Sequence, residues 1–375
     1  MRLISTLCVA LLLLPMVAVA QRPQSLPDLL DVPALASAGS LKEIMLDVTR
    51  TGDRLVAVGA YGTILYSDDK GASWRQASVP VQVSLTAVTF PTPEKGWAVG
   101  HDAVILHSND AGESWHKQLD GRQTGSISLA AAQEVMARLE AEADPDMMAM
   151  DMADMALAEA EREQEIGPNR PFMDVWFGDE QFGIAIGAFN YFFVTEDGGR
   201  TWQDRSLSLP NPEILHLYSI HAIDTNTLLI VGEFGLVLRS LDRGVSWEPL
   251  ESEYDGTLFS VSGTDGHAWI AGLRGNVFYS ADAGDSWQHI PLGTEATILK
   301  ASSLTADEAV FGGLGGTLVR VRQGGADVSA LGKPGGSHIA SMLMLADALV
   351  IAGMGGLHRQ TPDGQRQTIR YQGGN

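Results

Sequence analysis

The sequence predicts an all-β molecule, a seven-bladed β-propeller of four-stranded antiparallel blades with a helical insert between blades 2 and 3. A strand ending in an Ala-Val-Gly-like tripeptide recurs seven times, at Ala57-Val58-Gly59, Ala98-Val99-Gly100, Ala185-Ile186-Gly187, Ile230-Val231-Gly232, Ile270-Ala271-Gly272, Phe311-Gly312 and Ala352-Gly353. Successive marked glycines lie 41, 87, 45, 40, 40 and 41 residues apart, so one step is double and the rest agree. A period of about 40 residues holding four strand-length segments is the signature of a propeller blade.

At the N-terminus, Arg2 precedes an apolar run from Leu3 to Val19 that ends in Ala18-Val19-Ala20. That order of charge, apolar core and small-residue exit reads as a secretory signal cleaved near Ala20. A retained membrane anchor is the competing reading, disfavoured by the short run and its A-x-A exit. Residues 1–20 are therefore assigned as signal, 21–40 as an N-terminal tail and 41–373 as the propeller. Cys8, the only cysteine, lies in the signal, which leaves the mature chain without disulfides or cysteine metal sites. The net charge of −21 argues against nucleic acid and anionic membrane surfaces as partners. A soluble, monomeric, periplasmic or secreted protein is expected, with no membrane insertion after cleavage.

Each blade opens on an inner strand such as Leu85-Thr86-Ala87-Val88-Thr89, and the tripeptide closes the second strand. The turn between third and fourth strands reads Ser/Thr-x-Asp-x-Gly-x-Ser/Thr-Trp in five copies, with Asp69, Asp110, Asp197, Asp242 and Asp282 followed by Trp74, Trp115, Trp202, Trp247 and Trp287. The carboxylate can accept turn amides, the glycine supplies a left-handed position, and the Trp can bury its ring between sheets. This is the Asp-box, or BNR repeat, and its recurrence at one blade position argues a structural role rather than a catalytic one.

Antiparallel order places the turn between strands two and three at the opposite end of the blade from the Asp-box. That end carries Ala60-Tyr61, His101-Asp102, Phe189-Asn190, Glu233-Phe234, Leu273-Arg274, Leu314 and Met354, which differ from blade to blade as a binding surface on a repeat scaffold would. Simple variation in turn chemistry is the alternative. Tyr61, His101, Asp102, Phe189, Asn190, Glu233, Phe234 and Arg274 are the candidate partner contacts.

The double step holds an insert, residues 120–171, which should emerge at this same mouth. Ser128 can cap a helix bearing Leu129, Ala132, Met136 and Leu139, and Asp144-Pro145 can start a second bearing Met148, Met152 and Met155. Between Gly121 and Arg170 eleven acids face four arginines, net −7, and six of the thirteen methionines lie here. Met148, Met152 and Met155 suit an adaptable docking stripe or ordinary packing better than Cu(I) coordination, so no metal and no cofactor are assigned.

No catalytic set emerges. The histidines lack HExxH spacing, and there is no phosphate loop opening a helix and no nucleophile elbow. A sialidase-like mouth needs an arginine cluster, yet beside Tyr61, Asp102 and Glu233 only Arg274 is available. Two carboxylates, Asp102 and Glu233, keep a glycan-acting or glycan-binding propeller as the alternative function.

The stretch Gly96-Trp97-Ala98-Val99-Gly100, followed by Val104-Ile105-Leu106-His107-Ser108 and the turn Asn109-Asp110-Ala111-Gly112-Glu113-Ser114-Trp115, resembles the blades of the photosystem II stability and assembly factor family. The resemblance covers about Leu41 to Gln372 and implies a seven-bladed, non-enzymatic scaffold that binds extracytoplasmic parts of membrane-protein subunits during assembly. The photosynthetic members use an arginine-rich surface, whereas this mouth offers Arg274 and an acidic, Met-rich arm.

Overall fold

The computed structural model describes residues 27–167, 169–332 and 335–373. The expected signal segment lies outside the described residues. Seven sheets follow one another along the chain, spanning 45–76, 85–119, 172–204, 217–249, 258–289, 298–330 and 339–367, each four antiparallel strands in sequential order. The first strand of each blade lies against that of both neighbours, and Ile339–Met344 of blade 7 meets Met45–Thr51 of blade 1, which closes the ring.

The marked glycines have a steric cause. A Cβ on Gly59, Gly100, Gly187, Gly232, Gly272, Gly313 or Gly353 would sit well inside contact distance of the carbonyl oxygen just before its blade's first strand. The residue after each glycine donates its amide to that same carbonyl, as Ala60 does to Ile44 at 2.8 Å and His101 to Ser84 at 2.9 Å. In blade 6 this role falls to Gly313, one residue beyond the Gly312 singled out in the sequence.

Every first strand also carries a register shift near its start, for example between Met45 and Asp47, Leu217 and Ser219, and Ile339 and Ser341. Such a bulge re-aims the following side chain. Here that side chain reaches the next blade: the Asp47 carboxylate accepts the Val88 amide at 3.1 Å, Asp174 accepts Ile220 at 3.0 Å and the Ser260 hydroxyl accepts Ala301 at 3.0 Å. Ser341 donates to Asp47 at 2.7 Å, and the Lys300 ammonium stands 3.2 Å from the same carboxylate, so blades 7, 6 and 1 share one polar knot. Burial pushes the Asp174 carboxyl up to about 6 against the pull of Lys300.

Each Asp-box Trp packs onto the preceding blade. Trp115 joins Val56 and Val58 of blade 1, Trp202 joins Trp97 and Val99 of blade 2, and Trp74 closes the ring against Val350 and Ala352 of blade 7. Blade 7 ends on a short outer strand. That strand is Arg366–Gln367, and Arg370–Tyr371 crosses to pair in parallel with Ser73 and Trp74 of blade 1. Ile369 and Tyr371 are apolar partners for the Trp74 cluster, which draws the end across. Residues 29–35 form no strand; Leu30 is buried between blades 1 and 2, and the Gln82 amide donates to the Leu29 carbonyl at 2.8 Å.

The insert forms two helices, α1 (Gly121–Glu140) and α2 (Met147–Ile166). α1 starts seven residues before the expected Ser128 cap, because Asp120 caps it in a capping box with Gln123. Ser128 instead lies within the helix and donates to Asp204 at 2.5 Å. Asp146 caps α2. The hairpin packs through small residues: Ala132, Ala153 and Ala160 are buried, and a Cβ on Gly125 would press on Gln164.

Candidate partner-binding face

The turn between strands two and three is built alike in blades 1 to 6, as a short helical turn whose middle residue is left-handed. The middle residue is Tyr61 (φ 57°), Asp102 (φ 55°), Phe189 (φ 53°), Phe234 (φ 49°) and Arg274 (φ 55°) in blades 1 to 5, and Gly315 in blade 6. Only the last is the residue that this backbone favours. Bulky side chains in this region are strained, and such strain concentrates at functional positions. Tyr61 is 65 % exposed, Phe189 50 % and Phe234 71 %, so burial does not offset the strain.

The other expected contacts divide. His101 and Arg274 are exposed, and Asp102 is half-buried with burial pushing its carboxyl up. Glu233 is half-buried and engaged: it accepts the His216 amide at 2.9 Å and meets the His216 imidazole at 2.7 Å. Asn190 is corrected from a surface contact to a structural residue. It is buried, donates to the Ser206 carbonyl at 3.0 Å and accepts from the Asn211 amide group at 2.8 Å, because the left-handed turn folds it inward. Met148 and Met155 are exposed, whereas Met152 is half-buried.

α1 and α2 stand on the mouth side, held by groups that the sequence did not flag. The Ala103 amide of the blade 2 turn donates to the Arg170 carbonyl at 2.8 Å, just past α2. Beneath α2 the buried Glu163 carboxylate accepts from Thr124 of α1 at 2.5 Å and from the Tyr191 phenol of blade 3. Burial pushes the Glu163 carboxyl up and the Tyr191 phenol up as well. The Arg170 guanidinium pairs with Glu159 and lies 5.1 Å over the Phe189 ring and 5.3 Å over Tyr191. At the root of α1, Arg122 bridges Asp120 at 2.6 Å and Asp31 of the N-terminal segment at 2.8 Å.

Between the hairpin and blade 3, with its connection to blade 4, lies a groove of about 1090 Å³. Phe189 lines it and also begins an aromatic series, with ring centres 4.5 Å to His216, 6.2 Å on to Tyr218 and 5.1 Å on to Phe259. Tyr218 and Phe259 sit half-buried at the bulge positions of blades 4 and 5, next to the ring's centre. Residue spacing could not reveal this series, since it joins turns and strands from three blades.

The opposite rim is chemically closed. Asp69 accepts the Ser73 amide at 2.7 Å, the Ser73 hydroxyl at 2.6 Å and the Ser67 hydroxyl at 2.9 Å, and the other four boxes repeat the pattern. Burial pulls the Asp69, Asp110, Asp197 and Asp242 carboxyls upward, yet these hydrogen bonds outweigh it and hold them below the usual range. At Asp282 the Ser286 hydroxyl is the leading cause, in the same direction. No group of three or more His, Cys, Asp or Glu among the described residues could hold a metal ion.

Comparison with known proteins adds the lineage. The family model of the photosynthesis system II assembly factor YCF48 matches residues 36–142 and 153–256, more than half of the chain. Photosystem II assembly lipoprotein Ycf48 of Synechococcus sp. (strain CC9902) is 33% identical over 119 residues, 31% of this chain and 35% of that protein. Photosystem II stability/assembly factor HCF136, chloroplastic, of Arabidopsis thaliana is 26% identical over 171 residues, 44% of this chain and 41% of its own length. The matches thus span well under two thirds of those relatives. A solved structure of YCF48 bound to D1 peptide superposes with a TM-score of 0.59 at 17% identity, covering 88% of this chain and 99% of that one, a likeness of fold. With its repeats, its closed ring and a family match across most of four blades, this chain belongs to the YCF48 family of photosynthesis system II assembly factors.

Proposed function

We propose that this protein is an exported, non-enzymatic assembly factor whose mouth face binds an extracytoplasmic segment of a membrane protein complex. The observation that carries the reading is the ring of exposed, left-handed side chains, Tyr61, Phe189 and Phe234, on the rim that also bears the helical hairpin. Left-handed strain at solvent-exposed aromatics is a cost to the isolated molecule, whereas aromatic anchors dominate protein interfaces. Family membership supports an assembly role, and the solved YCF48 bound to D1 peptide supports a peptide as the class of ligand. The acidic arm favours a partner with a basic surface, so association should weaken with salt.

The test is capture from solubilised membranes by immobilised mature protein, comparing wild type with the Tyr61→Asp/Phe234→Asp double variant. A membrane protein retained by wild type and lost by the variant is expected, with both melting alike. Equal capture by the two would contradict the mouth-face assignment.

A further inference from the structure

The groove between the hairpin and the blades has walls that differ from the rest of the mouth. Ile127 and Val135 of α1, Met152, Met155 and Ala156 of α2, and Ile214 of the blade 3 to 4 connection give it an apolar lining. Most of its charged groups are already engaged by the protein itself. Glu163 is held by Thr124 and Tyr191, Arg170 by Glu159, and Arg205 by Glu196 at 2.7 Å. Asp204 accepts from Ser128 at 2.5 Å and from the Ser206 amide at 2.8 Å. Glu134 and Arg138 remain along the α1 wall. The volume lies at the upper end of the roughly 300–1,000 Å³ typical of ligand sites, room enough for a short peptide segment.

The tip and outer face of the arm carry Asp144, Asp146, Asp151, Asp154, Glu161 and Glu165, all exposed and without an ion pair among the described residues, so the hairpin that walls the groove carries a negative field. An occupant that satisfies both features has an apolar middle and positive flanks. Phe189, at the inner end of the groove, hands over to His216, Tyr218 and Phe259 toward the centre of the ring.

We infer that this groove receives one peptide segment of the partner, with apolar side chains between α2 and Phe189, Lys or Arg at its flanks, and one end directed along the aromatic series. This rests on the mouth-face reading and names the part of the face that selects the partner. The exposed Met155 gives the groove an adaptable wall, suited to apolar residues of varied shape.

The probe is a fluorescein-labelled peptide with a Leu-Phe-Leu-Ile core and two lysines on either side, titrated by fluorescence anisotropy with the mature protein. The same core flanked by glutamates is the control. Saturable binding of the lysine form alone is expected, weakened in high salt. Ala156→Trp, which fills the groove, and Phe189→Ala should each lower affinity about tenfold. Val245→Ala, on the opposite rim, should leave it within about twofold. Native melting of each variant excludes unfolding as the cause.

Equal binding of the glutamate form, or Ala156→Trp binding within twofold of wild type, would overturn the proposal. So would concentration-dependent dimerisation that Ala156→Trp abolishes, since a second copy would then be the occupant. Failure of the mouth-face reading would appear separately, as membrane capture indifferent to Tyr61 and Phe234.

Discussion

Tyr61, Phe189 and Phe234 hold a backbone conformation that costs an L-residue about 1–2 kcal/mol over the right-handed region. Glycine adopts it freely, as Gly315 does at the same place in blade 6. Phe234→Gly should therefore stabilise the fold by about 0.5–1 kcal/mol in thermal melts while weakening partner capture. A destabilised variant would mean that the ring packs more than its exposure indicates. The tripeptide glycines predict the reverse. Gly232→Ala, whose Cβ would meet the His216 carbonyl, should cost about 3 kcal/mol, whereas Gly266→Ala, with nothing within 4 Å but φ +77°, should cost about 1. Equal melting temperatures for the two would refute the steric account of the repeat.

At the scale of elements, the Asp-box turn contributes through its hydrogen bonds. Asp197→Ala removes the acceptor of the Thr201 amide and hydroxyl and should lower stability by about 1–3 kcal/mol while the folded variant keeps its partner. Because these carboxyls are held below their unfolded values, their stabilisation is complete above the unfolded pKa and fades as acid carries pH through the folded ones. His107 adds an earlier loss. Burial pushes its imidazole down to about 4 from 6.5, so between those values the unfolded chain takes the proton first and stability falls with acidification. Asp174, raised to about 6, works in the opposite direction across an overlapping window, which makes the comparison of variants the informative one. Denaturation of His107→Phe beside wild type should show the variant gaining about 2 kcal/mol as pH drops from 6.5 to 4. A constant difference across that range would exclude His107 as the cause.

The five Asp-boxes, the seven tripeptides and the insert were legible in the sequence because each is local, one turn or one strand repeated. The start of α1 was not, since Asp120 and Ser128 are both good caps and only Gln123 at the right offset decides between them. Asn190 looked like its exposed neighbours because spacing does not show which way a left-handed pair turns. The Glu163, Tyr191 and Thr124 clamp joins residues 28 and 67 positions from Tyr191 and had no sequence signal at all.

For the whole molecule, the weakest point of a closed ring is its seam. Blades 7 and 1 are joined by the Asp47 knot, by Trp74 and by the crossing strand Arg370–Tyr371. Truncation after Gln367 removes Ile369 and Tyr371 from the Trp74 cluster, a loss of about 2–3 kcal/mol, and bares the edge Ser73–Gln76. Lower melting temperature with concentration-dependent light scattering is expected. Unchanged melting would place the seam's strength in the inner strands alone. The sequence implied a ring without showing how it closes, because parallel pairing between the chain end and blade 1 leaves no periodic trace.

Phe234 and Val245 offer a direct comparison, since both belong to blade 4, are 71 % and 70 % exposed and mark its opposite ends. A photo-crosslinking amino acid placed at each position, activated in intact cells, reads which rim touches a membrane protein. Crosslinks from position 234, with position 245 silent, are the expected result. A membrane-protein crosslink from 245 that equals or exceeds the one from 234 would contradict the assignment of the mouth as the working face.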